Sequence, residues 1–399
     1  MMAMIKRLAV MAARLSCAAV FSAAASDAEF FTNGLVHRFE IQLSETNLEA
    51  LRIEPREYVS ATVRADGQTY TNVGVHLKGV ATFRPVDDQP SLTLNFSKFA
   101  KDQRFFGLRK IHLNNGKEDP TFLREAISAQ MFAQAGVPTA RVTLARTRLN
   151  GRDLGPYVAI EGFTPEFLGR YFKDTRGNLY DSGFRQDITQ PLERLSGKKP
   201  DNWADLQELA AAAQTPWLTQ RWTHLARRLD TNSFARYLAM QVLTANWDGY
   251  ATYQNNYRLY HDPTSDRIHF MPHGMDQTFT KPFSLLLPRW EGLVARSFMG
   301  TREGRALYQQ QIGLLFTNLY HTTALVRRVD ELAARVRPML AEQNPLLAAQ
   351  HDRDVAALRR NIEQRGHFIA QQLATTNWMN PPVLNQPPRR TVPVRPATR

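Results

Sequence analysis

The hydrophobic residues in the first half of the chain tend to alternate with polar residues, a period of two that is typical of half-buried β-strands. Two hairpins are predicted to turn at Asp66-Gly67 and Asn150-Gly151, because both dipeptides favour tight hairpin turns. The predicted strands cover residues 36–43, 60–79 (divided by the first turn), 91–96, 111–113, 142–149 and 156–160.

A single helix is predicted within this β-rich half. Asp119 is placed to cap its first turn, Pro120 occupies the first helical position, and Gly136 followed by Pro138 ends it. The helix therefore covers about residues 120–135 and interrupts the series of strands.

The second half of the chain is predicted to be mainly helical, with one short hairpin formed by residues 257–260 and 268–271. The predicted helices are 165–172, 203–213, 215–228, 231–246, 302–337 and 349–375, the last two of them broken. A β-rich part with one helix, followed by a helical part, indicates an α+β protein of two lobes with a cleft between them. The lobes are expected at residues 26–163 and 164–376.

Both ends of the chain fall outside this plan. Residues 1–25 have the pattern of a secretory signal, with Lys6 and Arg7 ahead of an apolar run that ends in small residues. An ordinary hydrophobic first helix is the alternative, because Arg14 is a charge within this region. Residues 377–399 are predicted to form a disordered tail, since the last 19 residues hold six prolines and four arginines and no acidic residue.

Composition excludes several classes of protein. The 43% hydrophobic content excludes disorder of the whole chain. No apolar run after residue 25 approaches 18 residues, so no transmembrane segment is expected once the signal is removed. The single cysteine, Cys17, excludes a disulfide scaffold. Of the net charge of +13, about +6 remains without the signal and the tail, and no basic helix or finger accompanies it, so nucleic acid is not an expected partner.

The most informative polar residues surround the second-half hairpin. Asp248 follows a predicted helix, Asn255 and Asn256 precede the hairpin, and Asp276 follows it. Carboxylates and an amide carried on rigid elements around one hairpin can converge on Mg²⁺, which prefers oxygen ligands and keeps water and phosphate in its shell. The remaining carboxylate can then orient a hydroxyl for phosphoryl transfer. The alternative for each residue alone is a turn or strand-end role.

A second candidate group lies in the β-rich half. Glu125 shares one face of the predicted helix with Phe122, Ala129 and Phe132, so its carboxylate is expected to be partly buried and to need a cation. Lys78, at the end of a predicted strand, is a candidate for that cation, and protein kinases hold nucleotide phosphates with such a strand–helix Lys–Glu pair. The alternative is that Glu125 pairs with neighbouring Arg124 and that Lys78 lies on the surface.

These segments together resemble the CotH kinase family, an atypical protein-kinase-like group named for spore coat protein H. The resemblance covers about residues 70–280, in the family's order. Its segments are 74–79, 106–115, 119–125, 136–141, 246–250, 255–257 and 272–279.

The resemblance implies a protein-kinase-like fold that binds ATP with a divalent metal and phosphorylates secreted proteins. By position, Asp248 resembles the catalytic aspartate, while Asp276 and Asn256, with Asn255 as the rival choice, resemble the metal ligands. Glu125 resembles the helix glutamate. The resemblance also suggests Lys78 as the phosphate-binding lysine and Glu161 as the residue at the interlobe hinge.

The chain departs from the family's pattern in two places. Gln89-Pro90 stands where many relatives carry a lysine, which puts nucleotide affinity in question. His273-Gly274 replaces a Trp-Asp pair, so one acidic group near the metal is missing. Hydrolase and P-loop enzymes are disfavoured, because the chain has no Gly-x-Ser-x-Gly, His-Glu-x-x-His or Gly-x-x-x-x-Gly-Lys-Ser/Thr segment.

The sequence therefore predicts a secreted, extracytoplasmic protein kinase that uses ATP with Mg²⁺ or Mn²⁺ to phosphorylate serine or threonine in a secreted or surface protein. The alternative is a kinase-like surface or envelope protein of little or no catalytic activity that binds partners.

Overall fold

A computed structural model describes residues 27–197 and 203–378 of the chain. The signal-like segment and the predicted tail from residue 379 onward lie outside the described residues. The strands are β1 His37–Gln42, β2 Val59–Ala65, β3 Gln68–Lys78, β4 Ser91–Asn95, β5 Lys110–Asn114, β6 Val142–Leu149, β7 Arg152–Glu161, β8 Asn178–Asp181, β9 Glu193–Ser196, β10 Tyr257–Asp262 and β11 Arg267–Pro272. The helices are α1 Asp27–Thr32, α2 Glu45–Ile53, α3 Arg124–Gln134, α4 Pro165–Gly169, α5 Ala204–Gln214, α6 Leu218–Arg228, α7 Thr231–Leu243, α8 Tyr250–Tyr253, α9 Leu293–Gly300, α10 Arg302–Leu319, α11 Thr322–Gln343 and α12 Pro345–Thr375.

The first seven strands close into a barrel in the order β1-β2-β3-β4-β5-β7-β6. Its neighbouring strands are antiparallel except β1 and β6, which pair in parallel and complete the closure. Both predicted hairpin turns are confirmed, with positive φ at each residue of Asp66-Gly67 and Asn150-Gly151. Alternation along the strands directs one set of side chains into the barrel and the other set outward.

The barrel encloses a core rich in phenylalanine. The rings of Phe96 and Phe105 stack with centroids 5.0 Å apart, and Phe30 from α1 meets Phe105 edge-on. The prediction of a single helix in this half is wrong, because α1 and α2 both pack near the barrel. The helix α2 is capped by Ser44, which accepts a hydrogen bond from the backbone N–H of Asn47.

The helix α3 begins four residues later than predicted. Pro120 lies in a turn before the helix, and Phe122 has a φ of 63°. Asp119 still satisfies the start of the helix, since its carboxylate accepts the backbone N–H groups of Leu123 and Arg124. The predicted end is confirmed, because Gly136 adopts a φ of 70° just past the last turn.

The rest of the described chain is mainly helical but also contains a four-stranded sheet in the order β11-β10-β8-β9. The hairpin of β10 and β11 was predicted, whereas β8 and β9 were not, because four residues are too few to show a period of two. The predicted break after α10 is confirmed at residues 320–321, but α12 is one continuous helix of 31 residues.

The described residues form two hydrophobic cores, one inside the barrel and a larger one among the helices and the second sheet. The helix α3 and the outward side chains Leu144, Val158 and Ile160 of β6 and β7 pack into the larger core. The mixed α+β class is therefore confirmed, while the kinase-like two-lobe arrangement and its boundary after residue 163 stay predictions. Within the described ranges, no helix is both long and apolar enough to cross a membrane.

Candidate active site

Asp248 lies in the loop that follows α7, beside the two asparagines predicted with it. Its carboxylate accepts hydrogen bonds from the side-chain amide of Asn255 at 3.2 Å and from that of Asn256 at 2.7 Å. The loop is tightly turned, with φ of 50° at Ala245 and 53° at Asn256. The structure therefore brings Asp248 and both asparagines together, and it leaves the choice between the asparagines open.

Asp276 lies in the loop after β11, which is anchored on two sides. The backbone N–H of Phe279 donates to the carbonyl of Thr244 at 2.8 Å, which joins the loop to the end of α7. The hydroxyls of Thr278 and Ser128 hydrogen-bond at 2.8 Å in a buried position, which joins the loop to α3. Asp276 is thus held between the segment that carries Asp248 and the helix that carries Glu125.

Carboxylates crowd around Asp276. Burial, reinforced by the negative charges of Asp119, Glu118 and Asp248, raises the pKa of Asp276 to about 6. The pKa of Asp248 is raised as well, mainly by burial, and the two asparagine amides oppose that shift. This end of the site therefore holds more negative charge than its surroundings neutralise.

Glu125 is buried as predicted, with 4% of its surface exposed, but it makes no direct ion pair with Lys78 in the part of the chain that the structure describes. One of its oxygens, Oε2, has no hydrogen-bond partner. Burial, reinforced by Asp276, raises the pKa of Glu125 to about 8. The alternative partner is also excluded, because Arg124 binds Asp119 at 2.7 Å.

Lys78 lies at the end of β3 and is half-buried rather than on the open surface. Its ammonium group donates to the side-chain oxygen of Asn114 at 2.6 Å. Burial and the positive charge of Arg258 lower the pKa of Lys78 to about 8, while Glu125 and Asp276 oppose that shift. Lys78 is therefore close enough to Arg258 and to the carboxylates of Glu125 and Asp276 for their charges to act on it.

Glu161 is the last residue of β7, and its side chain is fully buried. The carboxylate forms ion pairs with Arg141 at 2.9 Å and with Arg170 at 2.7 Å. These arginines occupy both carboxylate oxygens. Any contact of Glu161 with a nucleotide must therefore come from its backbone, and its role at a hinge stays a prediction.

The sequence departures have different surroundings. Gln89 donates its side-chain amide to the carbonyl of Leu154 on β7 at 2.8 Å. His273 adjoins Asn256, since its backbone N–H donates to the carbonyl of Asn256 at 3.1 Å. Burial together with the charge of Arg258 lowers the pKa of His273 to about 3, so its ring is neutral at pH 7. Gly274 has a φ of 55° and passes so close to Asn256 that a Cβ would lie 2.8 Å from the amide oxygen. The glycine therefore permits the close approach of this loop to Asn256.

Sequence reasoning missed four charged residues near this site. Glu118 accepts a hydrogen bond from Gln277, and its charge acts on Asp276 and Asp248. Lys281 lies over the ring of Trp247 at 3.5 Å and is the cation that acts on Asp248. The other two are Arg258 and Asp181, an ion pair at 2.8 Å. An arginine flanked by Tyr257, Leu259 and Tyr260 on a buried strand was the available signal for this pair.

The donor set fits a magnesium ion. Among residues 27–197 and 203–378, no group of three or more histidine, cysteine, aspartate or glutamate side chains is gathered closely enough to hold a metal. Mg²⁺ in nucleotide sites takes only one or two carboxylates and completes its shell with water and phosphate oxygens. The unpartnered oxygen of Glu125 and the unneutralised charge around Asp276 are the features that a divalent cation would balance.

Comparisons with known proteins match most of the chain. The family model described as CotH kinase protein matches residues 75–374. Inner spore coat protein H of Bacillus subtilis is 21% identical over 300 residues, which are 69% of this chain and 82% of that protein. Invasin CotH2 of Rhizopus delemar is 24% identical over 315 residues, which are 69% of this chain but 52% of the invasin. The chain thus spans about half the length of that invasin.

Two solved structures also align with the chain. The Helicobacter pylori proinflammatory kinase CtkA aligns with a TM-score of 0.31 and 10% identity, over 71% of this chain and 94% of that one. The HipA, HipB and operator DNA complex of Shewanella oneidensis aligns with a TM-score of 0.30 and 15% identity, over 66% and 60%. Scores this low do not establish a common fold.

Proposed function

The chain belongs to the CotH kinase protein family, and on that basis we propose that it is a secreted, metal-dependent kinase. It transfers the γ-phosphate of ATP to serine or threonine hydroxyls of extracytoplasmic proteins. The observation that carries this proposal is that the loop of Asp276 is hydrogen-bonded both to the end of the helix before Asp248 and to the helix of Glu125. Three carboxylates from separate parts of the chain are thereby brought together. The names of the relatives, a spore coat protein and an invasin, support a surface or extracellular location.

In the proposed reaction, Asp248 orients the acceptor hydroxyl and takes its proton as the oxygen bonds to the γ-phosphorus. The bond from that phosphorus to the β–γ bridging oxygen breaks, and ADP leaves with the electron pair. The amides of Asn255 and Asn256 hold the Asp248 carboxylate in place. Asp276 and Asn256 would hold the metal, which supplies charge neutralisation for the phosphate oxygens. Lys78 binds the phosphates, and the buried Glu125 supports the loop of Asp276 through the N–H of Met275.

The test is transfer of label from ATP carrying it separately at the γ- and the α-phosphate, with Mg²⁺ or Mn²⁺ present. Peptides that each contain one serine or threonine act as acceptors, and autophosphorylation is read in parallel. We expect γ-label to be transferred and Asp248→Asn to reduce the rate at least about 100-fold, the scale of a general base. Asp352→Asn, the same change at an exposed ion pair with Arg337, is the control and should stay within about twofold.

Other outcomes would decide against this proposal. Transfer of α-label would mean that AMP and not phosphate is the transferred group. Absence of both labels, together with absence of metal-dependent ATP binding in calorimetry, would reject the enzyme. It would favour a non-catalytic surface protein that binds partners. The sequence features that favour this second candidate are Gln89-Pro90, where many relatives have a lysine, and His273-Gly274, where relatives often have Trp-Asp.

A further inference from the structure

The outer face of the barrel changes from apolar to basic between β7 and β3. On β5, Ile111 and Leu113 point into the barrel core, so Lys110 and His112 point outward. On β3, Lys78 lies on the same outer face and remains half-buried. The strands β3, β4 and β5 are consecutive neighbours in the barrel, which brings these basic side chains onto one continuous surface. The outer face of β3, β4 and β5 is therefore polar, whereas the outer faces of β6 and β7 are apolar and pack into the larger core.

Arg258 faces the same region from the second sheet, because its guanidinium group packs on Phe163, and the preceding Gly162 donates its backbone N–H to the carbonyl of Lys110 at 3.0 Å. It lies on β10, with about 8% of its side chain exposed, and its guanidinium group lies 4.3 Å from the centre of the Phe163 ring. Asp181, directly opposite on β8, accepts one hydrogen bond from Arg258 at 2.8 Å. The Nε of Arg258 has no hydrogen-bond partner. A buried guanidinium nitrogen without an acceptor is a costly arrangement that a bound oxygen would relieve.

The charge of Arg258 acts on both lysines. Arg258 is, after burial, the largest influence that lowers the pKa values of both Lys78 and Lys110. Its charge also helps to keep His112 and His273 neutral. In the described ranges, Asp181 is the only carboxylate within ion-pairing distance of any of the three cations. The group therefore carries excess positive charge on partly buried side chains, where screening by water is reduced and attraction for an anion is stronger.

This basic group adjoins the acidic group of the candidate active site. The positive charge of Arg258 and the negative charges of Glu125 and Asp276 all act on Lys78. Arg258 is also only two residues after Asn256 in the chain. A linear polyanion with a metal bound at one end has the matching charge distribution. A nucleoside triphosphate with its magnesium ion is a ligand of that class.

We propose that Lys78, Lys110 and Arg258 form one binding site for the phosphate chain of a nucleoside triphosphate, with Asp181 orienting the guanidinium group of Arg258. The assignment rests on the proposed function for the identity of the ligand, although the site itself requires only a polyphosphate. Arg258 binds phosphate through its free Nε and the remaining N–H donors of its fork. Because the recognition is of phosphate charge, affinity depends on the number of phosphates.

The competing explanation is that the Arg258–Asp181 ion pair only stabilises the fold. A suitable choice of variants distinguishes this structural role from phosphate binding. Arg258→Gln alone leaves Asp181 buried and unpaired, which destabilises a fold. The double variant Arg258→Gln/Asp181→Asn removes both charges and keeps similar volumes. Arg228→Gln, at an exposed ion pair with Asp266, is the matched control. Thermal unfolding confirms that each variant is folded before binding is measured.

Calorimetry then measures the affinity of the full chain for inorganic tripolyphosphate, ATP and AMP, each with Mg²⁺. We expect the double variant to bind tripolyphosphate and ATP about 10–100-fold more weakly, the scale of one or two charge-assisted hydrogen bonds. Its affinity for AMP should change by less than about threefold. The control should bind all three ligands as the wild type does.

The outcomes distinguish this inference from the proposed kinase. Equal affinity of the folded double variant and the wild type for tripolyphosphate would overturn the phosphate site, and so would a wild type that binds no tripolyphosphate. Binding of tripolyphosphate that the double variant loses, without binding of ATP, would support the anion site while rejecting ATP as its ligand and with it the kinase. An equal loss for AMP and for ATP would overturn recognition of the phosphate chain.

Discussion

Replacement of Arg365 should destabilise this protein more than replacement of any surface arginine. Arg365 lies on α12, is completely buried, and donates hydrogen bonds only to backbone carbonyls. Its Nη2 reaches Val242 at 2.6 Å, at the C-terminus of α7, and its Nη1 reaches Pro282 at 3.0 Å. Nη1 also bonds the carbonyl of Ser284. One side chain therefore links the end of the helix before Asp248 to the segment after the loop of Asp276.

The magnitude follows from two opposing effects of Arg365→Met. Three well-placed carbonyl acceptors lose their donor, at about 2 kcal/mol each when left buried and unpaired. Methionine avoids the burial of a cation, and this burial lowers the pKa of Arg365 from the ordinary value of arginine to about 10. That shift corresponds to about 3 kcal/mol at 1.36 kcal/mol per pKa unit. The net expected loss of unfolding free energy is about 3 kcal/mol, a large fraction of a typical domain's stability.

Urea unfolding followed by circular dichroism measures this loss. The matched control is Arg359→Met on the same helix, at an exposed ion pair with Asp330, which should cost less than about 1 kcal/mol. Arg365→Lys should fall between the two, because an ammonium group keeps the charge but cannot bridge both segments. The reasoning would be refuted if Arg365→Met lost no more stability than Arg359→Met with unchanged urea dependence.

Two further predictions concern local backbone and charge. Gly274→Ala places a Cβ at positive φ and against Asn256, whereas Gly67→Ala has the same strain with open space around it. Both variants should lose about 1–2 kcal/mol of unfolding free energy, measured by urea unfolding. Only Gly274→Ala should weaken Mg²⁺-dependent ATP binding in calorimetry. Equal weakening in both variants would contradict a role for the contact with Asn256. The hydrogen bond to Asp205 raises the pKa of His261, so its stabilisation is complete below the unfolded pKa of about 6.5 and is lost as pH rises through the folded pKa. Urea unfolding from pH 5.5 to 8.5 should show this decline, by up to about 1 kcal/mol, in the wild type and not in His261→Gln; parallel curves would contradict it.

Much of the candidate site follows from local patterns in the sequence. Asn256 precedes β10 and Asp276 follows β11, so the hairpin places both residues near its open end. Asp248 lies only a few residues before β10, so the proximity of the three residues needs no long-range information. Glu125 is buried because it shares a helical face with apolar residues. The functional roles of these residues stay predictions, whereas the family resemblance is confirmed by the match over residues 75–374.

Other features depend on contacts between distant segments and leave no local trace. Lys78 bonds Asn114 and not Glu125, because the barrel places β5 close to the end of β3 and α3 packs into the other core. Glu161 is neutralised by Arg141, which precedes β7 in the sequence, and by Arg170, which follows it. Neither arrangement follows from residue spacing.

The sequence by itself determined the α+β class, the hairpin turns, the end of α3 and the grouping of Asp248, Asn256 and Asp276. Each of these arises from a period, a turn dipeptide or a connection of a few residues, so neighbouring residues suffice to specify it. The tertiary structure decided the closure of the barrel by parallel pairing of β1 and β6 and the four-stranded sheet that β8 and β9 complete. It also decided the approach of Arg258 to the basic face of the barrel. These pairings join segments that are distant in sequence, such as His37 with Ala145 and Asp181 with Arg258, so no local pattern specifies them. Their energy comes from shared burial and from charges held close together.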